Sequence, residues 1–128
     1  MTPSEAVTTF RNARCIAVVG ASRNPRKYGY KVFYHLERAG YEVYAVNPNC
    51  ETIGSHPCHP DFHSLPVKPE AAVFITEPEV TTEMVKQALE YGVRCIWMQP
   101  GAVSAEAIAL AEDAGAKTVH GRCVLVTI

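Results

Sequence analysis

What the sequence does not contain narrows its class first. No apolar run approaches the roughly 20 residues needed to span a bilayer. Residues 1–14 lack the basic region, apolar core and small-residue cleavage site of a secretory signal. A cytoplasmic protein with no membrane partner is therefore expected. Neither sign of charge dominates: 12 Lys and Arg stand against 13 Asp and Glu, for a net charge of −1. A general nucleic-acid binder would carry a basic excess, so no nucleic-acid partner is expected. The cysteines (Cys15, Cys50, Cys58, Cys95 and Cys123) are odd in number and include no C-x-x-C pair, which disfavours a disulfide framework. Two phosphate fingerprints are missing as well. The loop G-x-x-x-x-G-K-[ST] of nucleoside triphosphatases does not occur. The dinucleotide pattern G-x-G-x-x-G is not met, because Ser22 stands where its second glycine belongs and the next glycine is Gly29.

What is present reads as one α/β domain of 128 residues, long enough for a real core. Residues 2–12 suit a leading helix, with Pro3 in its first turn. The first strand follows at Cys15–Val19. A helix over Tyr28–Ala39 places Val32, Phe33, Leu36 and Ala39 on one face, and Gly40 closes it. Tyr41–Val46 reads as the second strand. An irregular stretch over 50–70, dense in Pro, His and Ser, is unusually long for a connection, with a short helical turn near 60–65. Ala71–Ile75 is the third strand. Thr76 and Glu79 have the spacing of a capping box, before a helix whose buried face is Val80, Met84, Val85, Ala88 and Leu89. Arg94–Met98 is the fourth strand, Ser104 caps a helix that stops at Gly115, and Lys117–Val119 is the fifth. Val124–Val126 suits a short edge segment.

Helix end, glycine and strand entry recur at Gly40, Gly92 and Gly115. This is the grammar of successive βα units in a parallel sheet. Right-handed crossovers predict a Rossmann-like three-layer sandwich, a five-stranded parallel sheet in the order 3-2-1-4-5 with helices on both faces. That order puts the switch point between the first and fourth strands, where open sheets bind ligands beyond the strands' carboxyl ends. Those ends are Gly20-Ala21-Ser22, Asn47-Pro48, Ile75-Thr76 and Gln99-Pro100-Gly101.

The first strand and its sequel define the ligand class. Ile16–Val19 is a continuous apolar run, as in a strand covered on both faces. Gly20 permits a tight turn and close ligand approach. Arg23, Arg26 and Lys27 then precede a helix N-terminus, whose free N–H groups attract anions. Two readings follow: a phosphate-bearing ligand, or a strand end with a glycine turn and a solvated basic loop. An acidic residue after the second strand would hold a nicotinamide ribose, but Asn47-Pro48 stands there. Coenzyme A, with a pyrophosphate and a separate 3′-phosphate, suits the three cations better. Ser22, backbone N–H groups and the helix N-terminus suit the pyrophosphate. Arg23, Arg26 and Lys27 are alternatives for the 3′-phosphate.

The run Val18–Ser22, then Lys27–Phe33, Gly40–Val43 and Val46–Pro48 resembles the small single-domain CoA-binding proteins and the CoA-binding domain of the succinyl-CoA synthetase alpha subunit. Trp97–Gly101 and Arg122-Cys123 match further motifs of that family, whereas Gly121 stands where it more often has an acid. The resemblance implies a CoA site in which Gly20, Ala21 and Ser22 meet phosphate. It puts Asn47 and Pro48 near adenosine, and Ile75, Thr76 and Gln99 along the ligand path. Tyr28 and Gly101 complete the candidate set. It implies no catalysis: the synthetase's phosphorylated histidine lies in a second domain. CoA or an acyl-CoA is the expected partner, with a homodimer through exposed sheet edges left open.

Two other readings stand beside this one. A small NAD(P)-type oxidoreductase would use the same glycine turn. A zinc-dependent interaction module would use Cys50, His56, Cys58, His59, Asp61 and His63, although their spacing fits no standard ligand pattern. Cys123, beside Arg122 and near His120, is either a reactive thiol or a structural one. Trp97 suits core or interface. Tyr28 and Tyr30 are each suited to covering a ligand or packing a helix. No Ser-His-Asp set or carboxylate pair emerges, so no catalytic residue is assigned.

Overall fold

The computed structural model describes residues 3–49 and 52–128. In chain order these form α1 (Pro3–Arg11), β1 (Cys15–Val19), α2 (Tyr28–Arg38), β2 (Glu42–Val46), β3 (Thr52–Ile53) and β4 (His56–His59). A 3-10 turn (Phe62–Ser64), β5 (Ala71–Phe74), α3 (Pro78–Glu90), β6 (Cys95–Met98), α4 (Ala105–Asp113), β7 (Lys117–Val119) and α5 (Val124–Thr127) follow.

The strands make one sheet in the order β3-β4-β2-β1-β5-β6-β7. Among the described residues all its pairings are parallel except that of β3 with β4. The apolar run of β1 lies at the centre and is buried throughout. Alternation along each strand divides its side chains between two layers. Ile16, Val18, Val73 and Trp97 face α1, α2 and α5 through Phe10, Phe33, Leu36 and Val124. Ala17, Val19, Phe74 and Met98 face α3 and α4 through Val85, Ala88, Ala107 and Ala111, with Phe62 of the 3-10 turn beside them. Trp97 is a core residue: its ring meets Phe10 edge-on at 5.0 Å and its Nε1 donates to the Arg122 carbonyl at 3.1 Å.

The three-layer α/β architecture matches the expectation, but the sheet order 3-2-1-4-5 does not. The strand at Ala71–Phe74 pairs with β1, in the register Ile16↔Ala71 to Val19↔Phe74. The far edge of β2 is taken by β4, paired Ala45↔Cys58 and Val46↔His59. The stretch over 50–70 is thus not one irregular connection; it supplies a further strand and a short antiparallel partner. His56-Pro57-Cys58-His59 has no strand-like sequence because it is half-exposed near the sheet edge, where Pro is tolerated and no buried alternation is needed. The switch point consequently falls between β1 and β5, not between β1 and β6.

Three local expectations also change. Thr76 does not cap α3. The cap position is Glu77, whose side chain makes no capping bond, and Pro78 opens the helix. The Thr76 hydroxyl instead meets that of Thr81 at 2.7 Å. Within α3, Thr81 and Thr82 are buried while Val80 is 45% exposed, because the helix turns Val80 toward the carboxyl ends of the strands. Residues 124–127 are helical, not an edge segment, since among the described residues β7 pairs with β6 alone and the chain packs back against α2. Ser104 does cap α4, accepting from the Ala107 N–H at 3.1 Å.

Candidate functional site

The new switch point is a cleft of about 560 Å³ at the carboxyl ends of β2, β1 and β5. Its floor is Val19, Gly20, Val46 and Ile75. The first turn of α2 forms one wall, the first two turns of α3 the other, through Glu77, Val80 and Met84. Asn47, Pro48 and Asn49 close the β2 end.

The turn after β1 is held by backbone bonds to both neighbouring strands. The Gly20 N–H donates to the Val46 carbonyl at 2.9 Å, and the Ile75 N–H donates to the Val19 carbonyl at 2.9 Å. Gly20 has φ +94°, a region that side chains rarely adopt. A Cβ there would also stand 3.1 Å from the Ile75 backbone. The following loop is tied down by its own side chains. The Asn24 N–H donates to Ser22 Oγ at 3.1 Å, and the Arg26 N–H donates to Asn24 Oδ1 at 3.0 Å.

That loop delivers the chain into α2 at Lys27, the cap residue, which makes no side-chain capping bond. The first N–H groups of α2 are left without side-chain satisfaction at the edge of the cleft, where they favour an anion. Arg26 and Lys27 line the same edge and are exposed. Glu77 is the one carboxylate on the cleft wall among the described residues, and it stands at the N-terminus of α3. The arrangement offers cations and N–H donors at one end. Exposed apolar surface from Tyr28 (60% exposed) and Val80 lies beside it. The Lys31 ammonium lies 5.3 Å from the Tyr28 ring centroid, so the ring is braced by a cation–π contact while facing solvent.

The helix can begin this close to the turn because residue 29 is glycine. A Cβ at Gly29 would stand 2.1 Å from the Gly20 carbonyl oxygen and 3.0 Å from the Ser22 nitrogen. This close approach of helix to strand is the service of the last glycine in a dinucleotide fingerprint. Here a longer loop carries it to position 29, outside the spacing that motif reading recognises.

The family described as CoA binding domain matches residues 14–128. The chain belongs to this family. Over 83 residues the CoA-binding domain is 26% identical to acetate–CoA ligase (ADP-forming) II of Archaeoglobus fulgidus, covering 63% of this chain and 12% of the ligase. It is 33% identical over 86 residues to the alpha subunit of acetate–CoA ligase (ADP-forming) II of Pyrococcus furiosus, covering 66% of this chain and 19% of the subunit. The chain thus spans less than a fifth of the length of these two relatives. A solved structure of a hypothetical protein from Pyrococcus horikoshii superposes with a TM-score of 0.93 at 31% identity, covering 99% of this chain and 89% of the other.

Of the residues singled out from sequence, the cleft of the CoA-binding domain brings together Gly20, Ser22, Arg26, Lys27, Tyr28, Asn47, Pro48, Ile75 and Thr76. Ala21 is buried behind the turn, and its carbonyl accepts from Asn47 Nδ2 at 2.9 Å. Arg23 is exposed and lies outside the lining. Gly101 borders a smaller recess of about 200 Å³, which shares Ile75, Thr76 and Glu77 with the cleft. Gln99 is buried and turned toward α5: its Oε1 accepts from the Val124 N–H at 2.7 Å and its Nε2 donates to Cys123 Sγ at 3.4 Å. Tyr30 packs against the core and against Tyr34.

Sequence reading did not select Gly29, Asn49, Glu77, Val80 or Met84. Gly29 was visible as a glycine in a helix start; the others line the cleft only once the folded sheet brings the ends of β2 and α3 to it.

The His-rich stretch is dispersed. His56 pairs with Glu37 at 2.6 Å, the Ser64 N–H donates to Asp61, and His63 stands against Tyr91. The Ser64 bonds hold the Asp61 carboxyl below its ordinary pKa. Cys50 lies outside the described residues. Among the described ones, no three His, Cys, Asp or Glu side chains are placed to share a metal ion.

Proposed function

We propose that this domain binds coenzyme A or an acyl-CoA in the cleft between β1 and β5, as a binding or regulatory module with no chemistry of its own. In this reading Gly20 to Ser22 and the start of α2 receive the pyrophosphate, and Arg26 and Lys27 receive the 3′-phosphate. Tyr28 and Val80 give apolar surface to the rest of the ligand. The supporting observation is the coincidence, in one cleft, of an uncapped helix N-terminus, two cations and a glycine turn, within a chain of the CoA-binding domain family. Asn47 offers no carboxylate to a nicotinamide ribose, and its amide is already committed to the Ala21 carbonyl.

The test is a thermal-shift and calorimetric titration with CoA, dephospho-CoA and NADP. CoA at about a hundred times its Kd stabilises the fold by about 2.7 kcal/mol. Dephospho-CoA binds more weakly because it lacks the phosphate assigned to the cations. Arg26→Ala or Lys27→Ala lowers CoA affinity by about 1–3 kcal/mol where the contact is direct, while Arg23→Ala leaves it nearly unchanged. The absence of any stabilisation by millimolar CoA would overturn the proposal.

A further inference from the structure

Asn47 follows β2 and is tied into the protein at all four of its polar groups. Its N–H donates to the His59 carbonyl at 2.8 Å, and its carbonyl accepts from Cys58 Sγ at 3.7 Å, both on β4. Its side-chain Oδ1 accepts from the Asn49 N–H at 2.9 Å. Its Nδ2 donates to the Ala21 carbonyl at 2.9 Å, across to the turn that follows β1. Only one Nδ2 hydrogen is left uncommitted by these bonds.

The bond to Ala21 has a directional consequence. The peptide between Ala21 and Ser22 is trans, so its N–H points opposite to its carbonyl. Fixing the Ala21 carbonyl on Asn47 also fixes the direction of the Ser22 N–H. That N–H has no partner in the described hydrogen bonds, and Ser22 lines the cleft. The Ser22 hydroxyl is held on the other side, accepting from the Asn24 N–H at 3.1 Å.

We infer that Asn47 is a positioning residue for the phosphate-binding turn: it sets the Ala21–Ser22 peptide toward an anion, anchored through β4, and does not itself read adenosine. This rests on the CoA reading of the cleft but assigns Asn47 to the opposite end of the ligand from the one its family resemblance suggests. The phosphate and nucleoside parts of the ligand therefore respond differently to its loss.

The experiment titrates the wild-type protein and Asn47→Ala separately with CoA, inorganic pyrophosphate and adenosine, by calorimetry and ligand-observed NMR. Asn47→Ala weakens CoA and pyrophosphate by the same factor, about tenfold, while adenosine affinity stays within about twofold. Weakened adenosine binding, with or without loss of pyrophosphate, overturns the assignment, as does unchanged CoA affinity. Should Asn47→Ala fail to fold, the wild-type side-chain amide decides. The Nδ2 proton bonded to the Ala21 carbonyl exchanges slowly before ligand is added and keeps its shift when pyrophosphate binds; rapid exchange of that proton, or a large shift on binding, overturns the inference. A wild-type protein that binds no CoA at all would instead overturn the proposed function.

Discussion

Gly29→Ala tests the geometry of the site most directly. The added methyl carbon would lie 2.1 Å from the Gly20 carbonyl oxygen, 3.0 Å from the Ser22 nitrogen and 3.1 Å from the Ala21 Cα. All three are backbone atoms, so no side chain can swing aside. Reaching even a 3.0 Å contact with the oxygen requires α2 and the turn to part by 0.9 Å, the difference between 3.0 and 2.1. Overpacking costs about 1–3 kcal/mol, and a clash against backbone belongs at the upper end. Alanine returns about 1 kcal/mol through helix propensity. The net loss is about 2 kcal/mol, a fall in Tm of roughly 5–12 °C for a domain of this size. Because the strained atoms are Gly20 to Ser22, CoA affinity falls with stability. Chemical denaturation and CoA titration read the two effects. Gly40→Ala is the control: Gly40 has φ +100° with nothing within 4 Å of an added Cβ, so it carries only a conformational cost of about 1–2 kcal/mol and leaves CoA binding intact. If Gly29→Ala matched wild type in stability and in CoA affinity, the close approach of α2 to the turn would not shape the site.

Two further outcomes follow from the core. Burial raises the Cys95 thiol to about 11, against the opposing charge of Lys117; burial, then Glu42 and Glu70, raise Cys15 to about 11. Between pH 9 and 11 the folded state keeps thiol protons that the unfolded state has lost, so this stability is complete below pH 9 and declines toward pH 11. Denaturation midpoints measured across that range fall less steeply in Cys95→Ala than in wild type; equal slopes would contradict the assignment. Ser104→Ala removes the α4 cap and leaves the buried Thr82 hydroxyl without its 2.6 Å partner, lowering stability by about 1–2 kcal/mol in urea titration with no change in CoA affinity.

The differences between sequence expectation and structure have separate physical origins. Thr76 and Glu79 matched a capping pattern, yet Pro78 suits the first helical position, which sets the boundary at Glu77. Val80 fell on the apolar stripe of α3 by periodicity, but periodicity does not say which stretch of the stripe runs past the end of the sheet. Gln99, which the resemblance placed on the ligand path, sits beside a stretch that folds as α5 and takes both ends of its amide.

The sequence alone determined those features whose causes are local. The unbroken apolar run of β1 required burial on both faces. Gly20 marked the tight turn, since φ +94° is costly for any other residue. The cations before a helix start followed from their order along the chain. Only the tertiary structure decided which strand lies beside which, because pairing depends on edges far apart in sequence. Strand β4, hidden in Pro- and His-rich residues, took the free edge of β2 and left Ala71–Phe74 to pair with β1. That single choice moved the switch point and set Ile75 and Thr76 against Gly20.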